Sequence, residues 1–275
     1  MEKKITNITA IIPVHEYNET VENFLFESVK SLQNQKDDFD FNEIMIVAPD
    51  DILKKIKNVD STITFVKNTK ETTYQKQVMV GVNEVKTKYF TVIEFDDEVS
   101  SKYLANAISY ISKYDNADIY MTTMVEVNSE NKRIKDTNIQ AWSRQLVGDN
   151  NEVGYINENL LMEYTDFKLS GAIIDKEKFI EIGGFKENIV FSFGFEFLLR
   201  AIKNNLKIFV IPKMLYKHLT DRKGSITKYF LDKFTNKEVK FWFDTAISES
   251  EYSNDREIDT ETLKKDSDVK LTVKK

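Results

Sequence analysis

The chain has 275 residues, 41% of them hydrophobic, enough to bury one elaborated domain plus a tail but not two large independent domains. Its formal charge of -6 at pH 7 arises from intermixed acids and bases, so no basic block faces a phosphate backbone and nucleic acid is disfavoured as a partner. The absence of cysteine excludes disulfides, thiolate metal sites and cysteine nucleophiles, and leaves oxygen or imidazole to hold any metal.

Ile8 to Val14 is a short apolar run that predicts a strand, and Val21, Phe24, Leu25, Val29 and Leu32 follow at helical spacing. The alternation continues with a strand at Ile44–Ala48, a helix at Asp51–Ile56, a strand at Ile63–Val66 and a helix from Thr73 to Val85. A fourth strand is predicted at Tyr89–Phe95, a helical stripe through Tyr103, Leu104, Ala107, Ile108 and Ile111, and a longer strand at Ile119–Val127. Repeated strand-helix units of this length imply a mostly parallel sheet covered on both faces.

Between Asn128 and Thr165 the alternation fails, with a turn at Asn128–Asn131 and a loop at Asp149–Asn151, and this insertion is expected to lie over the site. Order resumes with Leu169–Ile174, a helix at Lys176–Ile182, the pair Gly183-Gly184, a helix near Phe195–Asn204 and a strand at Lys207–Ile211. From Ser225 to Glu251 the pattern is helical and aromatic, and from Ser253 it is charged and tail-like. The expected organisation is a domain over 1–225, an aromatic helical segment over 226–252 that packs on the domain or on a protein partner, and a tail over 253–275. No window approaches the roughly 18 apolar residues of a membrane span, and the opening run is too short for a signal peptide. The expectation is a soluble, cytoplasmic protein, and the scarcity of glycine and proline beside many Lys, Asn, Asp and Glu fits a compositionally biased source such as a phage or an AT-rich bacterium.

The sharpest local signal is Val92-Ile93-Glu94-Phe95-Asp96-Asp97-Glu98, four acids at the carboxyl end of an apolar strand. Ligands of open parallel sheets bind at that end. Crowded carboxylates repel one another, and a divalent cation bridging to a diphosphate would relieve the repulsion. The plainer reading is an acidic turn in which Asp97 or Ser100 caps the next helix.

Several landmarks occur in the order found in family 2 glycosyltransferases. They are Ile11-Ile12-Pro13-Val14-His15, Ser31-Leu32-Gln33-Asn34-Gln35, Glu94-Phe95-Asp96-Asp97, Leu169 to Ile174, Phe179 to Phe185, and Phe197-Leu198-Leu199-Arg200. The chain resembles that family over roughly residues 5 to 225. The resemblance implies a GT-A fold, an α/β domain whose mostly parallel mixed sheet is flanked by helices, with a nucleotide-sugar donor on its first half and Mn2+ or Mg2+ at the acidic motif. It assigns Asp96 to metal or diphosphate and Glu94 to the nucleotide, with Pro13 and His15 lining the nucleoside pocket. His218 follows the last strand, where several GT-A enzymes place a further metal ligand, and Arg222 is expected to pair with the diphosphate.

Two departures stand out. The family's catalytic aspartate lies six residues before the arginine of Leu-x-x-Arg, and here Gly194 occupies that place. Glu196 is the candidate substitute base, its plain reading being a first-turn acid favoured by the helix dipole. The family's Val-Asp-Asp-Gly-Ser is replaced by Val47-Ala48-Pro49-Asp50-Asp51, so Asp50 is either a nucleoside contact or a helix cap. The functional readings are therefore a metal-dependent inverting glycosyltransferase acting on an unknown acceptor, or a GT-A domain without catalysis that serves as a binding or structural subunit. A nucleotidyltransferase, which can share the sheet, is opposed by the landmarks of the second half.

Overall fold

The computed structural model describes residues 4–57, 61–69, 73–143, 152–222 and 224–260. In chain order its strands and helices begin with β1 (Lys4–Ile5), β2 (Ile8–Pro13), α1 (Glu19–Gln33), β3 (Phe39–Asp40), β4 (Glu43–Pro49), α2 (Asp50–Leu53), β5 (Ile63–Asn68) and α3 (Tyr74–Glu84). They continue with β6 (Tyr89–Val92), β7 (Glu98–Val99), α4 (Tyr103–Lys113), β8 (Ile119–Val127), β9 (Arg133–Thr137), β10 (Tyr155–Ile156) and α5 (Glu158–Glu163). The last are β11 (Ile173–Asp175), α6 (Lys176–Glu181), α7 (Phe193–Lys203), β12 (Ile208–Leu219), α8 (Ile226–Lys233) and α9 (Asn236–Glu249).

The main sheet has the order β10-β12-β8-β11-β6-β2-β4-β5, with β7 added to β12 and β9 to β8. The block β6-β2-β4-β5 is parallel, β11 enters antiparallel between β6 and β8, and β12 is parallel to β8. Every residue of β2 is buried, which is why it reads as an unbroken apolar run rather than an alternating one. On one face Ile8, Ala10 and Ile12 meet Val21, Leu25 and Val29 of α1 and Leu104 and Ala107 of α4. On the other, Ile11, Met45 and Val47 meet Val78 and Val82 of α3, with Phe179, Phe197 and Leu198 further along.

Local chemistry sets the element ends. Asn18 caps α1 by accepting from the Val21 N–H at 3.0 Å, and Thr73 caps α3 from Lys76 at 3.2 Å. A Cβ placed on Gly81 of α3 would lie 2.8 Å from Ile11 Cγ2 and 2.9 Å from Val47 Cγ2, so this helix approaches the sheet only because that side chain is missing. Buried Gln77, one turn earlier, donates to the carbonyls of Val14 at 2.9 Å and Val47 at 2.6 Å. It thereby ties together the carboxyl ends of β2 and β4.

The structure departs from the sequence reading in four places. First, β6 stops at Val92 rather than Phe95. Ile93 still donates to Ile11 at 2.9 Å, and the chain then turns so that the Asp97 N–H reaches the Glu94 carbonyl at 3.1 Å. Second, the first part of the insertion is regular: β9 forms a hairpin with β8, and Asn131 takes its turn at φ 58°. Trp142 stands on Phe209 with ring centroids 5.9 Å apart and donates from Nε1 to the Val210 carbonyl at 2.8 Å. That part of the insertion covers the amino-terminal half of β12 rather than the site, while Asp149–Asn151 lies outside the described residues.

Third, the aromatic segment is two helices. Thr235 accepts from the Glu238 N–H at 3.3 Å while Glu238 accepts from Thr235 N at 2.7 Å, a capping box that ends one helix and starts the next. Phe191 packs on Phe230, Phe234 and Phe243, so the pair of helices lies against the start of α7. Fourth, the stretch after Ser253 begins on the domain: a Cβ on Gly183 would lie 2.0 Å from the Ser253 carbonyl oxygen, and Asn188 donates to the Arg256 carbonyl. Among the described residues no helix is long and apolar enough to cross a membrane.

Candidate functional site

The turn after β6 delivers three carboxylates to the carboxyl end of a central strand, and each meets a different partner. Glu94 Oε1 accepts from the Tyr74 hydroxyl of α3 at 2.5 Å. Asp96 Oδ2 accepts from Arg222 Nε at 2.5 Å, and the same guanidinium gives Nη1 to Glu16 Oε1 at 2.5 Å. Its plane also lies over Phe95, 4.7 Å from the ring centroid, so cation-π attraction adds to the ion pairs. Asp97 is 1% exposed and accepts from the Tyr216 hydroxyl at 2.8 Å, from His218 Nδ1 at 2.9 Å and from the Leu219 N–H at 2.8 Å.

Asp97 is therefore not a helix cap but the fastener between the acidic turn and the end of β12. Ser100 accepts weakly from the Lys102 N–H at 3.3 Å, and no side chain caps α4. Tyr216 also donates to no second carboxylate; its oxygen accepts the Glu94 N–H at 3.2 Å. Gly171, at φ +70°, passes so close beneath the Tyr216 ring that a Cβ would lie 2.3 Å from Cδ2. Only glycine tolerates both conditions.

Burial dominates the protonation behaviour here. It lifts Glu94 to about 8, with the Tyr74 hydroxyl opposing and Asp97 and Asp96 adding; at neutral pH the group is mostly a carboxylic acid. Asp96 is also raised, by burial and by Asp97, against the pull of Arg222. For His218 burial disfavours the cation, but the charge and hydrogen bond of Asp97 outweigh it and the net shift is upward. His15 moves down, chiefly by burial, with Glu16 opposing and Arg222 adding.

The structure thus brings together Glu94, Asp96, His218 and Arg222 from the sequence reading. His15 joins them, with its ring centroid 5.4 Å from that of Phe95, and buried Pro13 ends β2 in register with Val47. Asp50 lies apart from this group at the ends of β4 and β5, where Pro49, Lys67, Asn68, Lys76 and Val80 complete a cleft of about 700 Å3. It does not cap α2, whose first turn has no side-chain cap; it pairs instead with Lys54 at 2.6 Å and Lys67 at 3.4 Å. Asn68, which lines the same cleft, has a buried Oδ1 with no hydrogen-bond partner among the described residues.

Glu196 requires a correction. Rather than facing an acceptor, it is wholly buried and held by Arg200 through Nε at 2.8 Å and Nη2 at 2.9 Å. Lys186 Nζ stands 3.3 Å from the same carboxylate. A carboxylate so neutralised is a structural partner of the Leu-x-x-Arg arginine, not a base. Gly194, on the first turn of α7, has room beside it: a Cβ there would meet only Leu169 Cδ1, at 3.6 Å.

Sequence reasoning missed Tyr74, Glu16 and the pair Glu126–Lys168, and it offered Asp97 only as part of the acidic motif or as a helix cap. Glu126 sits opposite His218 in the β8–β12 register and accepts from Thr137 and from Lys168 Nζ, the latter at 3.0 Å. Asp97 adjoins Asp96 and Glu16 adjoins His15, whereas the others lie far from any residue singled out. As for a metal, among the described residues no three His, Asp or Glu side chains form a ready-made cage. Asp96 offers a hard oxygen, and His218, with Nδ1 committed to Asp97, keeps Nε2 for a ligand. This donor set fits only a cation that arrives with further oxygens of its own.

A parallel block, a β11 return strand and acids at the end of β6 together define a GT-A glycosyltransferase fold. The chain belongs to glycosyl transferase family 2, whose profile matches residues 9–178. Among curated proteins it is similar to an uncharacterized glycosyltransferase of Methanocaldococcus jannaschii, 22% identical over 208 residues, 74% of this chain and 67% of the relative. Among solved structures it is similar to S. aureus TarS 1-349, at TM-score 0.57 and 16% identity over 88% of this chain and 80% of that one. The same protein in complex with UDP-GlcNAc matches at TM-score 0.58 and 15% identity, over 80% and 60%. Against the longer TarS chain, at TM-score 0.54, this chain spans 36% of the length.

Proposed function

We propose that the domain binds a nucleotide-sugar at the carboxyl ends of β2, β4 and β6 and transfers the sugar, with inversion, to an acceptor. The observation that carries this reading is the Asp96–Arg222–Glu16 group. A guanidinium bridging two carboxylates at a strand end is an exchangeable arrangement, because an incoming diphosphate offers Arg222 the same planar, charge-assisted bonds. Asp96 and His218 would hold Mn2+ or Mg2+, and the cation would supply charge neutralisation to the leaving diphosphate. The cleft at Pro49, Asp50 and Asn68 suits the nucleoside, since it opens at the carboxyl ends of β4 and β5. TarS, solved with UDP-GlcNAc and with UDP, makes uridine donors the first to try.

The test is thermal unfolding with a panel of nucleoside diphosphates, with and without each metal. A rise in Tm that needs metal and nucleotide together supports the site, and Asp96→Asn should abolish it without unfolding the chain. A second reading, a GT-A domain that binds without catalysis, is favoured by one observation: Glu196 is locked to Arg200 and Gly194 carries no acid. A midpoint that no nucleotide moves, with either metal, leaves only that second reading.

A further inference from the structure

We propose that Glu16 is an internal stand-in for the diphosphate: it holds the Arg222 guanidinium that the nucleotide needs and sets the donor's affinity by competing for it. The inference rests on the donor-binding reading above and adds to it a residue that opposes binding.

Of the two carboxylates on Arg222, the geometry marks Glu16 as the one that gives way. Arg222 and Asp96 are only 9% and 10% exposed, and the Nε bond between them is 2.5 Å long. Glu16, which takes Nη1 at the same distance, is 34% exposed. Asp96 is held in the turn after β6, whereas Glu16 stands in the connection between β2 and the Asn18 cap of α1. Once parted from Arg222, Glu16 has solvent beside it and His15 Nε2 at 3.9 Å. The guanidinium is equally able to turn, because its plane lies 4.7 Å from the Phe95 centroid and rotation over the ring keeps the cation-π attraction.

Crowding makes this an exchange rather than an addition. At φ +95° Gly224 passes so near the pair that a Cβ there would lie 3.1 Å from Glu16 Oε1 and 3.2 Å from Arg222 Nη1. A phosphate oxygen reaching Nη1 therefore displaces the Glu16 carboxylate, which would also repel it by like charge. The diphosphate wins the guanidinium because it carries more charge and offers several oxygens to the planar fork. The free energy of the Glu16 bond is nonetheless subtracted from its binding. The same subtraction applies to the nucleoside diphosphate after transfer, so Glu16 retakes Arg222 as the product leaves.

The full chain would be titrated with UDP, GDP and ADP in Mn2+, by calorimetry and by thermal unfolding. Glu16→Gln keeps an oxygen for Nη1 but loses the charge, and it should lower the Kd of the nucleotide that binds by about tenfold. Glu16→Asp, with its charge drawn back by one methylene, should give a smaller drop of the same sign. Glu19→Gln, at an exposed acid of the first turn of α1, removes the same charge outside this group and should move Kd by less than about twofold. In an Arg222→Ala chain the gain from Glu16→Gln should shrink to about twofold, since nothing is left to compete for. A Glu16→Gln Kd equal to or above that of the unaltered chain overturns the proposal, as does an equal gain from Glu19→Gln. Binding by Glu16→Gln where the unaltered chain shows none supports it. If neither chain binds any of the three nucleotides, the underlying reading falls as well.

Discussion

Two arginine–carboxylate groups in this molecule use the same chemistry to opposite ends. Arg200 and Glu196 are both fully buried one helical turn apart, and Arg200 also donates to the carbonyls of Ile182 and Gly184. Arg222 reaches Asp96 and Glu16 from the segment after β12, with Glu16 about one third exposed. In the first group every guanidinium nitrogen has a protein partner and both side chains are sealed from solvent, so the pair fixes α7 against the Gly183-Gly184 turn. In the second, one side opens to solvent, so a partner of like geometry can replace the carboxylate at small net cost. Burial, not pairing, decides which of the two is a fastening and which is a site.

The sharpest way to break this contrast is to remove each arginine. Arg200→Ala should cost about 3–5 kcal/mol in denaturant unfolding, because Glu196 is left charged and buried. Arg222→Ala should cost less, about 1–3 kcal/mol, because Asp96 is left largely buried while Glu16 can turn to solvent, and equal losses would erase the distinction. The next test concerns Glu94, whose folded pKa is raised from 4.5 to about 8. The folded state holds this proton more tightly than the unfolded chain, so its stability is full below the unfolded value and falls as pH rises through 8. Glu94→Gln cannot ionise, and it should stabilise the fold at pH 9 by about 5 kcal/mol at most, a gain that vanishes near pH 4.

Smaller effects sharpen the picture at the start of α7 and in the helices that support it. Thr235→Ala removes one half of the capping box on α9 and should lower stability by about 1 kcal/mol. Gly194→Ala, with space for the added methyl, should raise stability by up to about 1 kcal/mol, since glycine is a poor helix former. A loss instead would mean that this position needs its bare backbone for a reason other than room.

The first half of the fold was legible because it is local. The runs at Ile8, Ile44 and Tyr89 are short, apolar and separated by amphipathic stripes, and the acids at 94–97 end such a run. The partners of those acids were not legible. Tyr74 lies 20 residues before Glu94, and Tyr216 and Arg222 lie more than 100 after the acids they bind, so only the packed sheet reveals them. Glu196 misled because its first-turn position is equally suited to an exposed base and to an i,i+4 bond with Arg200. The capping box at Thr235 was readable as Thr-x-x-Glu yet was hidden by the continuous aromatic pattern around it, which made two helices look like one.

The stretch that follows α9 has a mechanical meaning. Ser253 is wedged over Gly183 and Arg256 clasps Glu249 at 2.7 Å, while β12 lies parallel to β8 over a long register. Under tension applied at the C-terminal side, the strap and α9 would peel away bond by bond at low force. β12 would resist in shear, with many ladder bonds loaded at once, so a pulling trace should show an early soft step before the rupture of the sheet.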